Sequence, residues 1–200
     1  MKYMRLLLVL SIISLIPACR KRYEPKFDTI VPSYRAEQHQ VELSVKALTA
    51  GESYSLFGTD LISQGYQPFH VHFYNTSSHT YVLDWQHIAV PLTADFVIKD
   101  YTDWPTWWLT FTTGLLAGIY CFQLIPLVIL PSAYYMMHYN HDMDKMLEHY
   151  NMKHHEPIEI LPHAHVDRVF FVCGWQQGLT FDIGLVNKTN GNYIKFVVQP

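Results

Sequence analysis

The sequence predicts a mainly β chain: a two-layer sandwich of about seven strands, interrupted by an apolar α-helical hairpin and a short amphipathic helix. Three observations carry that prediction. Short stretches on both sides of the chain's middle alternate apolar with polar residues, the period of a half-buried strand. Between them, from Trp104 to His141, there is no Asp, Glu, Lys or Arg. The composition is 50% apolar and 15% aromatic but only 16% charged, where about 25% charged is usual. Such a chain is not disordered, because disorder needs low hydrophobicity and high charge. A formal net charge of −3 leaves no basic field for nucleic acid.

Taken in chain order, Lys2 and Arg5 precede an uncharged apolar run, Leu6 to Ile16. The run is too short for a membrane span of roughly 20 residues and has the pattern of a secretory signal. Ile16-Pro17-Ala18-Cys19 follows, with a branched aliphatic three residues before the cysteine and a small residue just before it. This resembles the lipobox of bacterial lipoproteins. The resemblance implies that residues 1–18 are a signal peptide removed before Cys19, that Cys19 is acylated (palmitate is the usual kind of chain), and that the protein resides in the cell envelope. Each buried CH₂ of an acyl chain contributes about 0.8 kcal/mol, so two or three chains anchor firmly. Residues 19–39 then form a lipidated tether, whose Arg20, Lys21, Arg22 and Lys26 suit anionic headgroups. Loss of Lys2 and Arg5 takes the net charge from −3 to −5. Arg20 after the cysteine is compatible with sorting to the outer membrane, whereas an apolar helical segment favours the inner one, so inner versus outer stays open.

The first part of the sandwich is expected over 40–98. Val41, Leu43, Val45 and Ala47 alternate with polar residues, as do Phe69, Val71 and Phe73 with His70 and His72. A polar turn at Asn75 leads to a return strand of Tyr81, Leu83 and Trp85, continued by Ile88, Val90 and Leu92. The second part, 156–200, holds a weak strand at Ile158–Leu161, an apolar run Val169–Cys173, and a hairpin. Leu179, Phe181, Ile183 and Leu185 form one arm of that hairpin, Ile194, Phe196 and Val198 the other, and Asn190-Gly191 supplies the turn chemistry. Neither part can close a sandwich alone. Together they make one immunoglobulin-like domain, which requires both on the same side of the membrane, facing the periplasm. The stretch SLFGTDLISQGYQPFHVHFYN, with HVDRVFFV, also resembles uncharacterised bacterial envelope lipoproteins carrying immunoglobulin-like sandwiches, over about residues 40–92 and 156–198. That resemblance implies fold and address, and no catalytic residues.

The insertion, 99–155, would run about 57 Å as one straight helix over its uncharged part, against a hydrocarbon core of about 30 Å. Gln123, Pro126 and Pro131 interrupt it, which predicts two short helices, roughly 107–122 and 127–138, as a hairpin inserted in one membrane. Trp104, Trp107 and Trp108 at one end and Tyr134 and Tyr135 at the other are placed as interfacial anchors, and Gly114 and Gly118 allow close helix approach. One tilted span and a buried core hairpin are the alternatives. Residues 142–153 form a separate amphipathic helix with Met143, Met146, Leu147 and Tyr150 on one face.

The chemistry-bearing candidates are few. Between Met136 and His165 stand Met136, Met137, Met143, Met146 and Met152 with His138, His141, His149, His154, His155, His163 and His165. Thioether with imidazole suits Cu(I), and imidazole with carboxylate suits zinc. Copper or zinc held by His138, His141, His154, His155, His163 and His165 is therefore the alternative to a chain with no cofactor. His163 and His165 would share one strand face, and His70 with His72 a solvated one. Cys121 and Cys173 are expected as buried thiols. No GxSxG, HExxH, phosphate-loop, dinucleotide or EF-hand pattern occurs. The leading expectation is a non-enzymatic binding or structural lipoprotein whose partners are the lipid bilayer, through Cys19 and the hairpin, and another envelope protein.

Overall fold

The computed structural model describes residue 27 and residues 30–102, 125–151 and 156–200. Among these, eight strands form two antiparallel sheets of four. In chain order the strands are β1 (Tyr34–Gln38), β2 (Val41–Ala47), β3 (Tyr66–Asn75) and β4 (Tyr81–Leu83), then β5 (Ile158–Ile160), β6 (His165–Cys173), β7 (Phe181–Asn187) and β8 (Tyr193–Val198). The first sheet has the order β1-β2-β3-β6 and the second β5-β4-β7-β8. Strands from before and after the insertion thus pair directly: β3 with β6, and β4 with both β5 and β7. The architecture is a β-sandwich, and its first sheet opens with a three-strand meander. An immunoglobulin constant domain instead sets its second strand beside its fifth.

Alternation explains which face of each strand is buried. Val41, Leu43 and Val45 of β2 and Phe69, Val71 and Phe73 of β3 point inward, as do Phe170 and Val172 of β6. They meet Ile183 and Leu185 of β7 and Ile194, Phe196 and Val198 of β8 in one apolar cluster. At one end, four rings interlock across the layers. Phe69 lies 5.2 Å from Phe170, 5.4 Å from Phe181 and 5.0 Å from Trp175. Each such pair adds about 0.5–1.5 kcal/mol beyond area burial.

Among the described residues three α-helices accompany the sheets: α1 (Ala50–Phe57), α2 (Asp95–Thr102) and α3 (Ile125–Tyr150). Helix α1 begins with a capping box, in which the Glu52 amide donates to the Thr49 hydroxyl and the Thr49 amide to the Glu52 carboxylate. It ends at Gly58, whose φ of 70° suits a residue without Cβ. Phe57 packs edge-on against Phe171 on the outer face of the first sheet, 5.3 Å between centroids. The chain divides into two units: Met1–Glu24 with Asp103–Lys145, and Pro25–Thr102 with Met146–Pro200. The second holds all eight described strands. In the first, Met136 and Met143 are buried side chains of α3.

Several local expectations are corrected. The sequence predicts separate helices over 127–138 and 142–153, but α3 runs unbroken from Ile125 to Tyr150. Pro126 sits at its second position, where a missing N–H costs nothing, and the helix continues through Pro131. The other proposed hairpin arm, with Trp107, Trp108, Gly114 and Gly118, lies outside the described residues. No helix among the described residues is long and apolar enough to cross a membrane. Strand β1 falls inside the stretch expected as tether; it is an edge strand with only Tyr34 and Ala36 half-buried, so its alternation is faint. The strand expected to continue to Leu92 stops at Leu83. A 3-10 turn, Trp85–His87, follows, and Ile88 and Leu92 make only isolated bridges, one to each sheet. Cys173 is exposed rather than buried, because it ends β6 on the parity of the outer face.

Truncating Phe69 to alanine removes the ring shared by three aromatic partners. It should lower unfolding free energy by about 3–5 kcal/mol, read as a shift in urea midpoint with unchanged slope. A cost below about 1 kcal/mol would show that this cluster is not the centre of the core.

Candidate functional site

The register of the first sheet lines up polar side chains on its outer face. Arg35 of β1 is opposite Ser44 of β2, Ser44 is opposite His72 of β3, and His72 is opposite Asp167 of β6. His70 stands two residues along the same face of β3. Both imidazoles donate to a single carboxylate oxygen: His70 Nε2 to Asp167 Oδ1 at 2.8 Å and His72 Nδ1 to the same atom at 2.9 Å. His70 is the more buried of the two, its side chain 9% exposed against 34% for His72. The ring of Phe27 stacks flat on His70, with centroids 4.6 Å apart and planes 4° from parallel. Tyr150, the last residue of α3, meets Phe27 edge-on at 4.8 Å, and Asn151 then bridges to Val169 of β6. His165 lies beside His72, 6.1 Å between ring centres.

These groups line a cleft of about 480 Å³, completed by Glu42, Tyr74, Ile30 and Pro32. Burial pushes the Asp167 carboxyl upward, but the hydrogen bonds from His70 and His72 outweigh it and hold the group well below the ordinary carboxylate range. His72 is raised, first by its hydrogen bond to Asp167 and further by the charges of Asp167 and Glu42, against the opposing effect of burial. The neighbouring Arg168 is lowered by burial, while its guanidinium donates to the Asp167 carbonyl at 2.7 Å. Two polar atoms remain available to a ligand: His72 Nε2 and Asp167 Oδ2 have no hydrogen-bond partner among the described residues.

The histidines singled out from the sequence are scattered. His138 and His141 are exposed on α3. His163 is exposed in the turn before β6, with a φ of 56°, so it does not share a strand face with His165. His165 opens β6 and lines the cleft. His154, His155 and Cys19 lie outside the described residues. Among the described residues, no group of three or more His, Cys, Asp or Glu is arranged to hold a metal ion. The face carrying His70 and His72, expected to be solvated, is instead partly covered, and His70 is buried. The sequence signal for this site is the His70-x-His72 spacing on a strand. Its partner Asp167 lies far along the chain and is joined to it only by the β3–β6 register.

The His72–Asp167 pair makes stability depend on pH with a definite sign. The raised His72 contributes below its ordinary value of 6.5 and loses that contribution as pH rises through its folded value. The depressed Asp167 contributes above its ordinary 3.8 and loses its part as pH falls. The penalty of Asp167→Asn should therefore be largest between those values, about 2–3 kcal/mol for hydrogen bonds to a charged group, and smaller near pH 9. Urea unfolding of wild type and variant at pH 5 and 9 checks this; an equal or larger penalty at pH 9 would refute the linkage.

No protein-family model, no curated protein and no solved structure matches the chain.

Proposed function

We propose that the chain is a membrane-anchored lipoprotein of the bacterial cell envelope. It is held by acylated Cys19 and by a second apolar attachment within 104–141, and its β-sandwich faces the periplasm as a non-enzymatic binding module. The anchor reading rests on Ile16-Pro17-Ala18-Cys19 and the basic residues after it. The binding reading is carried by one observation, the cleft on the outer face of the first sheet. Arg35, Glu42, His72 and Asp167 supply both signs of charge there, and the His–Asp bonds hold the floor rigid before a partner arrives. Fixed charges of both signs favour selection of a partner over strength of binding, and preorganised side chains reduce the ordering cost of association.

Two experiments test the two halves. A clickable fatty-acid analogue supplied to cells should label the wild-type chain and not Cys19→Ala; equal labelling of both would eliminate the anchor. Photocrosslinking residues placed at Arg35 and Tyr74, on the cleft, should capture a discrete envelope protein. Val197, exposed on the second sheet, should capture none. Adducts from Val197 alone, or none from the cleft positions, would overturn the binding surface.

A further inference from the structure

The strands at the sheet margins are not equally protected. An uncovered edge offers unpaired N–H and C=O groups to any strand that fits it. In the first sheet the β6 edge is occupied: Leu92 bridges to Val172, Asn151 bridges to Val169, and the Thr93 amide donates to the Phe171 carbonyl at 2.7 Å. In the second sheet β5 is only three residues long, and β8 carries Lys195, already bonded to Asp182 at 2.7 Å. Strand β1 has no such cover. Tyr34 to Gln38 pair with β2 on one side, and among the described residues no strand or loop bonds to their other side.

The charges on β1 are also unsatisfied. Arg35 and Glu37 are exposed on the outer face of the sheet. Neither has an ion pair or a side-chain hydrogen bond among the described residues. Glu37 is directly opposite Glu42 of β2, and like charges facing each other across a strand pair are destabilising. Yet the five residues Tyr34-Arg35-Ala36-Glu37-Gln38 complement themselves when reversed. About a twofold axis through Ala36, perpendicular to the sheet, Arg35 falls opposite Glu37 of the partner subunit, and Glu37 opposite the partner's Arg35. Tyr34 then faces the partner's Gln38. A guanidinium beside Glu37 offsets its repulsion from Glu42.

From this open edge and its self-complementary charges we infer that the chain forms a twofold dimer by antiparallel pairing of β1 with β1 of a second copy. The two first sheets, four strands each, become one continuous sheet. The charges also fix the register. Pairing must keep both outer faces on one side, so the alternatives differ by steps of two residues. Moving the axis to Arg35 sets Arg35 against the partner's Arg35, and moving it to Glu37 sets Glu37 against the partner's Glu37. Only the axis at Ala36 joins opposite charges. Such an isologous contact closes on itself and leaves no β1 edge exposed. Arg35 borders both this seam and the outer-face cleft, whereas Tyr74, on β3, is two strands from the seam, about 10 Å, and stays open to the envelope protein proposed above. The dimer does not depend on how the chain is anchored.

Sedimentation of the full-length protein in density-matched detergent tests the inference. Wild type should dimerise at concentrations up to about 100 μM. Because the twofold axis repeats each contact, Arg35→Glu alone makes both cross-strand pairs acidic, and Glu37→Arg alone makes both basic. Each single variant should weaken the dimer by about tenfold or more; both positions are exposed, so the fold does not rest on them. The double variant Arg35→Glu/Glu37→Arg restores both pairs and should dimerise as wild type does. An equimolar mixture of the two single variants should form a mixed dimer, in which every pair is again opposite in charge, although neither variant associates alone. The inference fails if wild type stays monomeric at that concentration, or if the mixture does not associate. It fails equally if the single variants dimerise as tightly as wild type, which would put the contact elsewhere in the chain.

Discussion

The pairing of β3 with β6 sets the position of almost everything else. It runs in register from Tyr66 opposite Cys173 to Tyr74 opposite His165, and joins strands separated by the whole apolar insertion. On its inner side it puts Phe69 next to Phe170, the start of the ring cluster that bridges the two sheets. On its outer side it puts His72 next to Asp167. Because the side-chain period of a strand is two, a slip of one residue would exchange these faces. Asp167 would enter the apolar core and Phe170 would go to the surface, so burial of the rings and formation of the His–Asp site are specified by the same register.

The two faces of the first sheet meet opposite demands. Inside, alternating Val, Leu and Phe side chains are removed from water completely. Outside, one end is covered by Phe57 over Phe171, while the other carries polar groups that are only partly solvated. His70, almost buried beneath Phe27, would be destabilising without a partner. Asp167 supplies one, and in doing so becomes the shared acceptor for a second histidine. Partial burial strengthens those bonds relative to water, which is why the carboxyl is so strongly held ionised.

The sandwich presents two clefts of different chemistry. The outer-face cleft has charges of both signs and a titrating pair, whereas a second cleft, at the end of the sandwich where the β1–β2, β3–β4 and β7–β8 turns converge, is neutral and amide-rich. The first is made by register within a sheet. The second is made by three turns, and is rigid through Asn75, Thr76 and Lys188 rather than through strand pairing.

Much of the fold was legible from sequence because period-two alternation reports burial directly. Val41 to Ala47, Phe69 to Phe73 and the Asn190-Gly191 hairpin stand where their patterns put them, except that the first arm begins at Phe181 and leaves Leu179 exposed. Helix α1 was not expected within 40–98, because its signals, the capping box Thr49-x-x-Glu52 and Gly58, lie outside the alternating pattern that was read. The edge strand β1 was hidden, since an edge strand buries too little to alternate clearly. By itself the sequence determined the strand faces and the uncharged stretch 104–141, both of which follow from local order along the chain. Only tertiary structure decided that His70 and His72 meet Asp167, and that Asn187 faces a cleft shared with His39 and Ser77. Those groups are far apart in the chain, and pairing between distant strands is set by the packing of the whole core rather than by any neighbour in sequence.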